Sequence, residues 1–171
     1  MALETVRLRI RPLVADDGPF IVRLFNDPSF LEYIGDRGLR TAEEARVYIE
    51  EGPMESRTRL GFALDLVEER LTGEPVGICG LVKRPALDDP DLGFAYLPPW
   101  RGRGYAREAA EAVIDDATAR LGLKGLAAVV DGRNGPSIAL LTRLGFHRRG
   151  TVRLVDDGPL LELYGLVIDK A

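Results

Sequence analysis

Apolar and polar residues along this chain alternate in short blocks whose period switches between two and about 3.6. Val6, Leu8 and Ile10 interleave with Arg7, Arg9 and Arg11, which predicts a half-buried strand over 5–13. Asp16 and Asp17 precede Pro19 and an apolar face of Phe20, Ile21, Leu24 and Phe25, the pattern of a capped helix that stops at Asn26-Asp27-Pro28. Residues 30–40 read as a loop that keeps Phe30, Leu31, Tyr33 and Ile34. Thr41 and Glu44 form a Thr-x-x-Glu capping box, opening a helix expected to end near Gly52-Pro53. Strands follow at 61–67 and 76–82, turned by Thr72-Gly73, and a third at 92–97.

Next comes a glycine turn, Arg101-Gly102-Arg103-Gly104, and a helix from Tyr105 with Ala106, Ala109, Ala110, Val113, Ile114, Ala117 and Leu121 at helical spacing, stopped by Gly122. A compact strand at 126–130, a helix over 137–144 behind Pro136, and a hairpin turning at Asp156-Asp157-Gly158 complete the order β-α-α-β-β-β-α-β-α-β-β. This is a mixed α/β fold: a central sheet of about seven strands, with helices on both faces, in a single domain over 1–171. Strand, glycine turn and helix start in that order make an anion site, because the backbone N–H groups converge there and the helix end carries partial positive charge. Arg101, Arg103 and Arg107 add positive potential, and Trp100 and Tyr105 are expected to pack beside whatever binds.

Composition narrows the chemistry. The 171 residues carry a net charge of −4, which disfavours general nucleic-acid affinity, and a single Arg-Gly unit does not make an RNA-binding box. One cysteine, Cys79, and one histidine, His147, exclude an internal disulfide and a His- or Cys-rich metal site. Cys79 has no base near it in sequence and reads as an inert core residue; His147 reads as solvent-facing. No signal core or membrane-length apolar run is present, so a reducing cytoplasm is the expected setting, with no metal, nucleic-acid or membrane partner.

Two motifs then carry a likeness. Arg101-x-x-Gly104-x-Ala106 directly after a strand, and Asn134-x-x-Ser137-x-x-Leu140-x-x-Arg143-Leu144-Gly145-Phe146 after the next strand, resemble the GNAT superfamily of N-acetyltransferases across essentially the whole chain. The opening Val-Arg-Leu-Arg-Ile-Arg-Pro-Leu, Asp27-Pro28 and the capped helix at Thr41 resemble its branch of ribosomal-protein alanine N-acetyltransferases. The resemblance implies acetyl-CoA as acyl donor, no metal, and direct transfer to an amine: a protein N-terminus or a small molecule. A homodimer is compatible with it. It also implies that the strands at 92–97 and 126–131 splay, so that the pantetheine arm lies between them like an added strand.

Cofactor contacts are then expected from Phe94, Ala95, Tyr96 and Leu97, from Arg101, Gly102, Arg103, Gly104, Tyr105, Ala106 and Arg107, and from Asn134 and Ser137. Backbone N–H groups near Phe94 to Tyr96 would polarise the thioester carbonyl. Gly104 and the backbone should matter more than the arginine side chains. Many relatives place a tyrosine acid where this chain has Leu141. Ser137, one turn earlier, is the substitute for the sulfur-binding role, although a serine there also suits a helix cap. An α-amine of pKa about 7.8 is roughly a third neutral at pH 7.5, so it needs little more than a water path to a carboxylate. Asp91 is the first candidate base and Glu162 the second, with Tyr33 and Tyr164 expected in the acceptor groove. Glu108 and Glu111 read as favouring the helix dipole. The mild acidity weakly suits a cationic acceptor, and the loss of the tyrosine leaves a catalytically silent acyl-CoA-binding module as the rival reading.

Overall fold

The computed structural model describes residues 1–168. An open sheet of eight strands runs in the order β1-β2-β3-β4-β5-β6-β8-β7. These are β1 (Leu3–Glu4), β2 (Leu8–Pro12), β3 (Leu64–Glu69), β4 (Pro75–Val82), β5 (Asp91–Tyr96), β6 (Gly125–Val130), β7 (His147–Val152) and β8 (Leu161–Val167). Neighbours pair antiparallel except β5 and β6, which run parallel and are joined by the crossover helix α5 (Tyr105–Ala119). One face is covered by α5 and α6 (Gly135–Arg143) over a core that includes Leu92, Ala109, Val113, Leu126, Leu141 and Phe146. The other face carries α1 (Gly18–Phe25), α2 (Pro28–Tyr33) and α3 (Ala42–Ile49), burying Ile21, Leu24, Phe25, Phe30 and Ile49.

The mixed α/β architecture is as expected, with three local differences. Val6 is 88% exposed, because the first strand is broken there into β1 and β2 and the apolar alternation starts only at Leu8. The stretch read as a loop from Phe30 begins as a helix: the Asp27 carboxylate accepts from the N–H groups of Ser29 and Phe30, so the residues that end α1 also start α2. The Thr41 capping box is present, with Glu44 bonding back to the Thr41 N–H at 3.1 Å. Its helix nevertheless runs past Pro53. A π turn at Glu50–Met54 absorbs the donor that proline lacks, and α4 (Glu55–Leu60) continues to Gly61, whose φ of 81° ends it.

Candidate active site

β5 and β6 touch through one ladder pair, Asp91 opposite Ala127, and diverge from there. The direction of their backbone groups follows from two bonds. Leu97 donates its N–H to Val76 O at 3.1 Å, so the odd residues of β5 bond to β4, and the N–H groups of Phe94 and Tyr96 point away from β4 toward β6. Ala127 donates to Pro90 O at 2.8 Å, so Val129 likewise faces the gap from the β6 side. The wedge opens into a cavity of about 500 Å³. Because it is lined both by α1 and α2 residues (Phe25, Phe30, Tyr33) and by α6 residues (Ser137, Leu141), it passes through the sheet from one helical layer to the other.

The glycine turn sits where β5 hands over to α5. Gly102 and Gly104 have φ of 72° and 80°, a left-handed backbone that a side chain would strain, and Gly104 is the N-cap of α5. None of the N–H groups from Gly102 to Arg107 has a partner among the described residues, which is the donor array a phosphate requires. The arginine side chains are committed elsewhere. Arg101 donates to Tyr96 O, Ser29 Oγ and Asp27 Oδ2 at 2.8–3.0 Å, stapling the turn to the start of α2. Arg103 lies over the Trp100 ring, and Arg107 pairs with Glu111 one turn along. Trp100 stacks on Tyr105, whose hydroxyl donates to Glu69 at 2.6 Å. Tyr105 and Ala106 turn their side chains toward the core, so only their backbone faces outward.

At the apex of the wedge Asp91 is 2% exposed. Arg84 donates Nε to its Oδ2 at 2.6 Å, while Oδ1 has no hydrogen-bond partner. Burial raises its pKa above the ordinary carboxylate value; the Arg84 guanidinium and the Val129 N–H across the gap oppose that shift. Ser137 lines the same cavity from α6. The cap of α6 is Asn134, whose side chain accepts from the Ser137 N–H at 3.3 Å, so the Ser137 hydroxyl is not needed as the cap. Asn134 lines the cavity too.

Residues 7–147 match the family model of the acetyltransferase (GNAT) domain. This chain belongs to the GNAT acetyltransferase family. It is 30% identical to the uncharacterized protein YkkB of Bacillus subtilis, with 88% of each chain covered. The crystal structure of an acetyltransferase from Agrobacterium tumefaciens superposes with a TM-score of 0.81 at 26% identity, covering 97% of this chain and 94% of that one. The fold also matches RimL, a ribosomal L7/L12 α-N-protein acetyltransferase solved in complex with coenzyme A, with a TM-score of 0.84 over 100% of both chains at 16% identity.

Members of this family use acetyl-CoA, and the GNAT frame sorts the expected site residues. Phe94, Asn134, Ser137, Asp91 and Tyr33 share the cavity, along with Ala95. Three expectations change. Leu97 and, by the same alternation, Ala95 spend their N–H groups on β4, so they cannot offer them to a donor lying in the gap. Glu162 is bound to Arg148 on the neighbouring strand and does not line the cavity. Tyr164 is 8% exposed and packs into the core under α5 and α6, because the β6–β8 register sets it opposite Ala128 on the interior face. Cys79 is buried, and burial holds its thiol above the usual range, as suits an inert core residue.

Sequence reasoning missed Arg84, the partner of Asp91, and missed Tyr48 and Arg37, which line the cavity from α3 and from the loop after α2. It also missed the β7–β8 loop, which supplies Leu154, Val155 and Pro159 to the cavity wall. Arg84 lies seven residues before Asp91 in a polar loop, and no periodicity marks such a pair. Among the described residues, no group of three or more His, Cys, Asp or Glu could hold a metal ion, and no helix is long and apolar enough to cross a membrane.

Proposed function

We propose that this chain transfers an acetyl group from acetyl-CoA directly to a primary amine, with the two substrates meeting in the wedge between β5 and β6. The observation that carries the reading is the single Asp91–Ala127 pair. It leaves the N–H groups of Phe94 and Tyr96 without a partner on β6 and the Val129 N–H turned to Asp91, beside a cavity that Phe94, Val129, Asp91 and Ser137 line. The free N–H groups of 102–107 suit the pyrophosphate of CoA, and the gap suits its pantetheine arm, which would bond to the two strands as an added strand does. When bound, acetyl-CoA supplies the activated acyl group. The N–H groups of Phe94 and Tyr96 stabilise negative charge on the acyl oxygen; one donor of this kind is typically worth about 2.7–4 kcal/mol of barrier. Asp91 accepts the amine proton, its raised pKa bringing it toward the range where a base works at neutral pH. Ser137 donates to the departing sulfur, where relatives hold a tyrosine at the position of Leu141.

Likeness to the RimL fold supports a protein N-terminal α-amine as one acceptor class beside small amines. We place the enzyme in the cytoplasm, where the buried thiol of Cys79 stays reduced. One observation favours the silent alternative: Leu141 is 1% exposed and part of the core, so no acid stands at that position. Release of free CoA, followed with a thiol reagent across amines and peptides, separates the two. Tight acetyl-CoA binding without release on any amine would sink the transferase reading.

A further inference from the structure

Two arginines at the acceptor end of the cavity have donors to spare. Arg37 lines the cavity and makes no hydrogen bond or ion pair among the described residues; the acid beside it, Asp36, is taken by Arg40 at 2.6 Å. Arg84 uses only Nε on Asp91, and neither of its Nη nitrogens has a partner. Both arginines line the cavity together with Tyr48, whose pKa is raised by burial, a rise that the two guanidiniums partly offset. Next to them the wall is aromatic: Phe25 stacks on Phe30 at 4.4 Å, and Tyr48 sets its edge to Phe25 at 5.3 Å.

We infer that the acceptor is a small amine carrying its own carboxylate, bound through Arg37 and the outer nitrogens of Arg84, with an apolar body against Phe25, Phe30 and Tyr48. This deepens the acetyl-transfer reading and rests on it. The logic is one of pairing. Arg84 bridges the candidate base and the proposed anion, so a molecule whose amine and carboxylate are close together, as in an α-amino acid, brings its nitrogen to Asp91 when its carboxylate meets the arginines. Two other acids line the cavity. Asp131 is held by Arg133 at 2.8 Å, and the Glu32 carboxylate, which forms no ion pair among the described residues, faces that same Arg133 at longer range. A polyamine would set its second ammonium against two unpaired cations, although the net charge of the whole chain weakly suits one.

The test compares L-leucine and L-phenylalanine with their amides, a tripeptide amide and spermidine, measuring CoA release by the wild type and Arg37→Gln. The amide's amine is the less basic and so the more neutral at pH 7.5; a preference for the acid therefore runs against intrinsic reactivity. The expected result is kcat/KM at least about tenfold higher for the acid, with the acid-to-amide ratio falling about tenfold in Arg37→Gln, the size of one charge-assisted hydrogen bond. Equal use of the amide, the tripeptide amide or spermidine, or an unchanged ratio in the variant, overturns the inference while leaving acetyl transfer intact. If no amine is acetylated, calorimetry with CoA present decides. Arg37-dependent binding of the acid upholds the anion site and sinks the transferase reading; equal binding of acid and amide, or none, overturns the inference.

Discussion

Replacing Asp91 with asparagine keeps the shape of the wedge and removes the proposed proton acceptor. General acid–base catalysis contributes about 10²–10⁴-fold, and an amine that is already partly neutral needs the lower end of that range. Asp91→Asn should therefore lose about 10²-fold in kcat/KM near neutral pH, roughly 2.7 kcal/mol of barrier. The loss should shrink as pH rises and the amine deprotonates by itself. Stability should move the other way. The folded pKa of Asp91 lies above its ordinary value, so between those two values the native state binds more protons than the unfolded one. Wild-type stability then falls as pH rises through that window and stays lower above it. The neutral amide lacks this loss. Arg84 keeps 28% of its side chain exposed and can hydrate when its partner is gone, so the variant should melt no lower than wild type at pH 7. CoA release across about pH 6 to 9 and thermal melts over a wider range measure both effects. Glu162→Gln is the control: its solvent-exposed pair with Arg148 contributes little, and activity should hold. If Asp91→Asn keeps a wild-type pH profile, or if Glu162→Gln is the variant that loses it, the base has been misassigned.

Three further outcomes follow from the same geometry. Ser137→Ala should lower kcat about tenfold, the value of a charge-assisted hydrogen bond to the leaving sulfur, with little change in melting temperature; Asn134→Ala should instead cost about 1 kcal/mol of stability, because it is the cap. Unchanged kcat in Ser137→Ala would remove the serine from the mechanism. Gly104→Ala should raise KM for acetyl-CoA and cost about 1–2 kcal/mol in stability, since φ is 80° there and a Cβ would stand 3.2 Å from Arg7 Nη2; unaltered CoA affinity would show that the turn does not bind the phosphates.

The parts of this fold legible in the sequence were those determined within a few residues. The Thr41 capping box and the Gly102–Gly104 turn before α5 are closed by local hydrogen bonds and local backbone conformation, so their signals are local too. Asp27-Pro28 was ambiguous for a physical reason: a proline ends a helix before it and suits the first turn of one after it, and here it does both. The residues at the site that escaped notice depend on distant pairing. Period two correctly put Glu162 and Tyr164 on one face of β8 but could not say which face; the register against β6 turned that face toward the core at Tyr164. Arg84, Arg37 and Tyr48 come together only after three separate segments close around the wedge.

The wedge itself explains why one short strand can have several roles. A continuous ladder between β5 and β6 would have consumed the N–H groups of Phe94 and Tyr96 and filled the space beside Asp91. Leaving them unpaired is costly unless something polar answers them, since a buried donor without an acceptor forfeits about 1–3 kcal/mol. Water can answer them in an open cavity, and a chain of amides can answer them better by lying in register with both strands. The alternation that points Phe94 and Tyr96 into the gap also fixes 93, 95 and 97 to β4, so the donors are held by a ladder already anchored in the sheet. Such donors need little reorganisation when negative charge develops in front of them. Asp91 sits where the two strands part, buried enough to resist ionisation and tethered by Arg84, which lines the same cavity. On the function proposed above, pairing that stops after one residue gathers in one place a slot for the acyl donor, a polarising backbone and a positioned proton acceptor.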